Sequence, residues 1–296
     1  MLNTEHRSAQ YAGLDTWEDE AVLSALLQSQ AQAIASLKDA FSSIGRAAAD
    51  LAERLRAGGR LLYAGAGSSI RQGIVDGIEL PATFGFPPDR LHFLVAGGKD
   101  ALFDSRGAAE DDAASAMAEI AALQLTAQDS LIAIAASGTT PYAVAAARAA
   151  KAGGALVIAI ANNPGSPLAE NAHHEIFLNS GPEVIAGSTR MAAGTAQKCA
   201  LNLLSTLTHI RLGAVHDGMM VNVRVDNDKL RRRACSIIMT IAGVDGETAR
   251  RALEESAGEV KCAVLIAAGV KDIGSARSML AAANGNLRRA LAQLSK

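Results

Sequence analysis

Aromatic residues are scarce in this chain, at 3% of 296 positions. So few stacking rings argue against a surface built for single-stranded nucleic acid. Neither sign of charge is in excess: 28 Lys and Arg stand against 30 Asp and Glu, a net charge of -2, so no basic footprint points to nucleic acid. The one tight basic cluster, Arg231-Arg232-Arg233, is expected on a solvated helix face. The three cysteines, Cys199, Cys235 and Cys262, lie far apart, which excludes zinc spacing and a complete disulfide framework. They are expected as small buried hydrophobes in a reducing compartment, hence a cytoplasmic protein. The opening residues MLNTEHRSAQ hold no apolar signal core. No apolar run of about 18 residues escapes interruption by Gly or a charge, so no membrane-spanning helix is expected.

What the chain does have is a globular composition, 49% hydrophobic and 20% charged, and a change of period along its length. The first 20 residues are polar and resemble an arm. Over residues 18–57, Val22, Leu23, Leu26, Leu27, Ile34, Leu37, Phe41, Ile44, Leu51 and Leu55 recur at helical spacing, until Gly58-Gly59 ends the pattern. Short apolar runs then take over, at 60–64, 91–96, 130–136, 155–161 and 175–178, each closed by a loop of Gly, Ser, Asn or Pro. Helical stretches separate several of them, most clearly at 141–151. Strand, Gly/Ser loop and helix in repetition predict an α/β fold with a doubly wound parallel sheet flanked by helices. Residues 189–212 are expected as a long helix. Residues 231–296 are expected as a small helical bundle broken at Gly243, Gly246, Gly269 and Asn284-Gly285. The expected organisation is an N-terminal helical arm (1–50), an α/β domain (51–230) and a small helical C-terminal domain (231–296).

Two loops have the composition of a phosphate cradle. Gly65-Ala66-Gly67-Ser68-Ser69 runs from a strand into a helix, where glycines admit an anion to backbone N–H groups, serines add hydroxyls and the helix dipole favours negative charge. Ser137-Gly138-Thr139-Thr140-Pro141 repeats the arrangement, with a proline suited to a first helical turn. Position 70 is Ile70, so the dinucleotide fingerprint lacks its third glycine, and no Lys-Ser or Lys-Thr follows to make a Walker loop. A monophosphate fits better than a nucleotide. The pairs His173-His174 and His209 with His216 are expected on the surface rather than as metal ligands.

The chain resembles the sugar isomerase (SIS) domain proteins, and among them the N-acetylmuramic acid 6-phosphate etherases. The residues that carry the likeness are 59–85, GAAEDD at 107–112, 129–142, NNPGSP at 162–167, 181–206, 218–230 and 258–270, together with the N-terminal Thr4-Glu5. The chain departs from the family's usual residues at Ile70, Leu80, Ala82, Thr139 and Ala192. The resemblance makes residues 51–230 the SIS phosphosugar-binding domain. It implies a lyase that removes D-lactate from C3 of the sugar in cell-wall recycling, with Glu79 as proton donor to the lactate oxygen and Glu110 as base at C2. It also implies phosphosugar contacts from Gly67, Ser68, Ser69, Ser137, Gly138, Thr139 and Thr140, and a homodimer with a shared site. Glu183 either meets sugar hydroxyls, as that loop does in SIS relatives, or satisfies loop amides.

Two carboxylates suit such chemistry. A proton on the carbon beside an aldehyde is acidic, and an alkoxide leaves more readily when protonated, so an elimination needs one base and one acid and no metal or other cofactor. Without the resemblance, Glu79 is equally a helix-end partner of Arg71 or Arg90, and Glu110 a charge favourable to a helix N-terminus. Two other functions compete: a phosphosugar isomerase or diverged lyase with a base at C2, and a non-catalytic sugar-phosphate sensor. Retention of both glutamates favours the enzyme.

Overall fold

The apolar runs form five parallel strands. The computed structural model describes residues 2–104 and 107–294, so the outermost residues of the expected arm and bundle lie outside it. In chain order the elements are α1 (Asp19–Ala35), α2 (Phe41–Arg56), β1 (Leu61–Gly65), α3 (Gly67–Phe84), β2 (Leu91–Val95), α4 (Ala113–Ala122), β3 (Ser130–Ile134), α5 (Pro141–Ala152), β4 (Leu156–Ala161), α6 (Pro167–Glu170), β5 (His174–Phe177), α7 (Ala192–Arg211), β6 (Val215–His216), β7 (Met219–Met220), α8 (Asp228–Ala242), α9 (Gly246–Glu255), α10 (Val260–Ala267), α11 (Ile273–Ala282) and α12 (Leu287–Leu291).

The helix expected over 18–57 is two helices. Between them Ser36–Ala40 tightens into a 3-10 turn, where the Ser36 hydroxyl donates to the Ala33 carbonyl at 2.8 Å. The second helix buries the stripe its spacing demands, Ile44, Ala47, Ala48, Leu51, Ala52 and Leu55. The first does not: Leu23 and Leu27 are exposed. The polar N-terminal segment also differs from a free arm, because Thr4 is completely buried.

The strands lie in the order β2-β1-β3-β4-β5, all parallel, with Leu61 opposite both Leu91 and Ser130. The order reverses between β1 and β3. In open α/β sheets a ligand binds beyond the strand ends at such a switch point, and the two Gly/Ser loops leave from these two strands. Strands β1, β3 and β4 are buried along their whole length, as a sheet covered on both faces requires. On one face Leu62, Ala64, Leu131, Ala133, Val157 and Ala159 pack with alanines of α5 and with Ala116 and Ile120 of α4. On the other, glycine brings α3 close: a Cβ at Gly73 would fall 2.8 Å from Ile134 Cδ1, and one at Gly77 would fall 2.6 Å from Phe93. The strand starts are clasped by Arg60, whose backbone N–H and guanidinium both donate to the Asp129 carboxylate.

The chain forms two compact units that are discontinuous in sequence: Met1–Gly77 with Asp89–Leu207, and Ile78–Pro88 with Thr208–Lys296. The second unit has its own core, built on Val221, Val223, Ile237, Ile238, Leu253, Val264 and Leu265. Breaks fall at Gly243 and Gly269 as expected, and Gly258 adds another. The Arg231–Arg233 cluster is exposed on α8. A small antiparallel hairpin, β6 and β7, goes beyond the expected elements. Its Asp217-Gly218 turn has positive φ at both residues, 45° and 75°, the backbone a two-residue hairpin favours. Of the cysteines only Cys262 is buried; Cys199 and Cys235 are half-buried.

Candidate active site

The cradle begins where β1 turns into α3. Gly67 sits at φ 52°, and the first turn of α3 carries no acidic side chain, so its free N–H groups face no charge of their own helix. Ser68 is half-buried and Ser69 buried within that turn. A Cβ at position 67 would lie 2.9 Å from Glu110 Oε1. The glycine therefore admits the Glu110 carboxylate to the amino end of α3, which joins two of the candidate site residues although they are distant in sequence.

Glu110 lies in the 3-10 turn Gly107–Asp111 and is half-buried. It does not cap the helix that follows. Asp112 does so, accepting the Ser115 N–H at 2.9 Å. The alternative reading of Glu110 as a helix-start charge therefore falls to its neighbour, and Glu110 remains directed at the glycine turn.

The second loop closes on itself. Ser137 Oγ accepts the Thr139 N–H at 3.1 Å, and Gly138, at φ 70°, approaches Ser166 so closely that a Cβ would fall 2.3 Å from Ser166 Cβ. Thr140 occupies the N-cap position of α5 and Pro141 its first turn. Beside it the buried Asn162 carboxamide donates to the Leu178 carbonyl and Ser180 Oγ and accepts from Gln197, linking the ends of β4 and β5 to α7. Periodicity gives no sign of these polar links; the run of asparagines directly after an apolar strand is the only signal.

Glu183 is 1% exposed, and its two oxygens accept the Ala192 and Ala193 N–H groups at 3.0 and 2.9 Å. It is a buried carboxylate at the amino end of α7. Burial raises its pKa, against the opposing pull of those two N–H groups and of Arg190.

Glu79 belongs to the second unit, exposed on α3 two residues before Pro81. Proline has no N–H to give the Gly77 carbonyl, so Glu79 rides on a helical turn with one hydrogen bond deleted. Arg71 donates to the carbonyls of Leu102 and Ala101, and Arg90 to those of Leu55 and Gly59. Three of the departures from the family's usual residues are core positions: Ile70, Leu80 and Ala192 are at most 2% exposed.

Two of the histidines expected on the surface, His209 and His216, are buried. His209 is buried, not on a helix surface: its ring stacks on Phe84 at 4.5 Å and meets Phe86 edge-on at 5.9 Å, inside the second unit. His216 is in β6 and buried, His174 pairs with Asp50 at 2.7 Å, and His173 is exposed. Among the described residues no group of three or more His, Cys, Asp or Glu is placed to hold a metal ion. No described helix is long and apolar enough to cross a membrane.

Comparison with known proteins agrees with this architecture. Residues 108–207 match the SIS domain, and residues 43–151 match the glucokinase regulatory protein N-terminal SIS domain. A solved Bacteroides fragilis structure, assigned to phosphosugar isomerisation in capsule formation, covers 66% of this chain and 91% of its own at 24% identity and a TM-score of 0.50, and shows the fold alone. The N-acetylmuramic acid 6-phosphate etherase of Deinococcus radiodurans is 41% identical over 98% of this chain and 95% of its own length. That of Rubrobacter xylanophilus is 39% identical over 99% and 96%. Likeness of this extent, over both compact units, establishes the kinship: the chain belongs to the N-acetylmuramic acid 6-phosphate etherase family.

Proposed function

We propose that this protein cleaves the D-lactyl ether of N-acetylmuramic acid 6-phosphate, giving N-acetylglucosamine 6-phosphate and D-lactate. The observation that supports it most is the seat of Glu110 against Gly67, a base at the edge of an N–H-rich helix start where a sugar phosphate can be held. The N–H groups at the start of α3 and the hydroxyls of Ser68, Ser69, Ser137, Thr139 and Thr140 take the phosphate, with Gly67 and Gly138 shaping the turns that present them. Glu183, buried with its two oxygens accepting the Ala192 and Ala193 N–H groups, acts on the loop before α7 rather than on the sugar.

In the open-chain sugar, Glu110 takes the proton from C2. The C–H pair is held as the enolate of the C1 aldehyde; it then forms the C2–C3 double bond as the C3–O bond breaks, and Glu79 protonates the departing lactate oxygen. Water then adds at C3 and a proton returns to C2, so the sum is ether plus water to alcohol plus lactate. The substrate-binding loops fall within residues 51–230, and a phosphorylated sugar is confined where it is made, which supports action in the cytoplasm. A homodimer with a shared site is part of the proposal: Leu23, Leu27, Ile34 and Phe41 are exposed apolar side chains on α1 and at its junction with α2, suited to self-complementary burial by a second copy.

The test is release of D-lactate from N-acetylmuramic acid 6-phosphate, with C2 proton exchange in deuterium oxide as its second readout. Glu110→Gln is expected to abolish both. Glu79→Gln is expected to stop lactate release while C2 exchange persists. No lactate from the wild type, with sugar-phosphate binding retained, would replace the lyase with a sensor.

A further inference from the structure

The polar N-terminus is anchored at the strand ends. Asn3–Glu5 forms a single 3-10 turn whose central residue, Thr4, is completely buried. The partner is Asn163, itself 3% exposed, directly after β4. One N–H of its carboxamide is donated to Thr4 Oγ1 at 3.1 Å and the other to the Ala136 carbonyl at 2.9 Å, while its oxygen accepts the Asn3 N–H at 2.6 Å. Both amide hydrogens are thus committed, so an aspartate could not take the place of Asn163. The Thr4 carbonyl accepts the Gly187 N–H at 3.0 Å. Gly187, at φ 78°, also lets Glu5 close over the chain: a Cβ there would lie 2.9 Å from Glu5 Oε2.

These bonds end at three loops. Ala136 immediately precedes Ser137-Gly138-Thr139-Thr140. Asn163 opens the loop that carries Ser166, against which Gly138 is wedged. Gly187 lies between Glu183 and α7. We propose that Thr4 is a positioning residue for phosphosugar binding, the N-terminal turn acting as a strap that fixes the β3–α5, β4–α6 and β5–α7 loops relative to one another. The inference rests on the reading that these loops hold the substrate. Thr4 touches no reacting atom and acts through Asn163 and Gly187. A buried bond to a carboxamide stiffens loops otherwise free to move, and loops held in their binding geometry bind more tightly because less ordering is left for the ligand to do.

The test compares Thr4→Val, which keeps the shape and removes the hydroxyl, with Thr4→Ser, which keeps the hydroxyl. Thr4→Val is expected to speed amide hydrogen exchange over residues 136–140 and 183–189 and to raise KM for N-acetylmuramic acid 6-phosphate, each by about tenfold, the factor that corresponds to about 1.4 kcal/mol. The change in kcat is expected to stay below about threefold, and Thr4→Ser to restore both readouts. Unchanged exchange and KM in Thr4→Val would overturn the strap. A fall in global stability that Thr4→Ser does not rescue, with KM unchanged, would overturn it in favour of a purely structural role. If the wild type releases no lactate, the functional reading fails separately, and the strap is then judged on loop exchange and on the Kd for N-acetylglucosamine 6-phosphate. Absence of any effect of Thr4→Val on those two readouts would overturn it there as well.

Discussion

At the scale of single residues, the site depends on a missing side chain. A methyl group at position 67 would fall 2.9 Å from Glu110 Oε1 and would sit on a backbone at φ 52°, which L-residues with a Cβ adopt at a cost of about 1–2 kcal/mol. Gly67→Ala is therefore expected to lower stability by that amount and kcat/KM by more than tenfold, because the carboxylate must shift to make room; melting curves and lactate release measure the two separately. Glu110→Gln differs in kind. It leaves the turn unstrained and removes only the proposed base, so kcat is expected to fall by about 10²–10⁴ with little change in stability. Neither role was legible from residue pattern alone. Glu110 is one acidic residue in an acidic triplet, and only the resemblance distinguishes it from Asp112, which proves to be the helix cap. The approach of Glu110 to Gly67 joins residues far apart in sequence, and no spacing rule predicts such a contact.

At the scale of elements, most of the fold was legible. The apolar runs set all five strands of the main sheet to within about two residues, because the central strands β1, β3 and β4, buried on both faces, must be apolar throughout and every run closes in a polar or Gly-bearing loop. What periodicity missed were features carried by one or two residues: the Ser36 hydrogen bond that splits the first helix, the two-residue strands around Asp217-Gly218, and the burial of Thr4 in a polar segment. The exposure of Leu23 and Leu27 has a different cause, since periodicity reports that a face is apolar and not what covers it. Two ends of elements carry further predictions. Burial pushes the Asp129 carboxyl up, but the Arg60 side chain and N–H and the Thr126 N–H outweigh it and hold the group well below the usual carboxylate range. Asp129→Ala leaves a guanidinium without its bidentate partner at the strand starts and is expected to cost about 3–5 kcal/mol in urea unfolding while KM stays unchanged. Glu183→Ala orphans two buried N–H groups at α7 and is expected to cost about 2–4 kcal/mol, with Glu183→Gln recovering part because one amide oxygen still accepts.

At the scale of the whole molecule, ionisable groups in both compact units bias stability the same way with pH. Burial lowers the pKa of His92, whose edge-strand ring also faces Arg60, and of His216, near Arg288, and partial desolvation beside Lys151 lowers that of the exposed His173. A histidine whose folded pKa is depressed binds its proton more readily in the unfolded chain, so its contribution is present above about pH 6.5 and is lost as pH falls through the folded value. Lys261 has the same sign in an alkaline window. Its ammonium donates to the carbonyls of Gly213 and Gly285, at the ends of α7 and α11, yet burial prevails and lowers its pKa from 10.5 to about 8. The unfolded lysine therefore holds its proton between those values while the folded one has released it, and stability rises with pH across that window by an amount on the order of 2 kcal/mol. Glu183 opposes the trend at acid pH, because its raised pKa favours the folded state once it is protonated. The urea midpoint of the wild type is expected to fall between about pH 8 and about pH 5.5 and to rise between about pH 8 and about pH 10. Lys261→Met is expected to flatten the alkaline rise and leave the acid fall, whereas His92→Asn is expected to shrink the acid fall and leave the alkaline rise. A Lys261→Met protein that still gains stability above pH 8 would show that another group, and not the buried Lys261 ammonium, carries the alkaline rise.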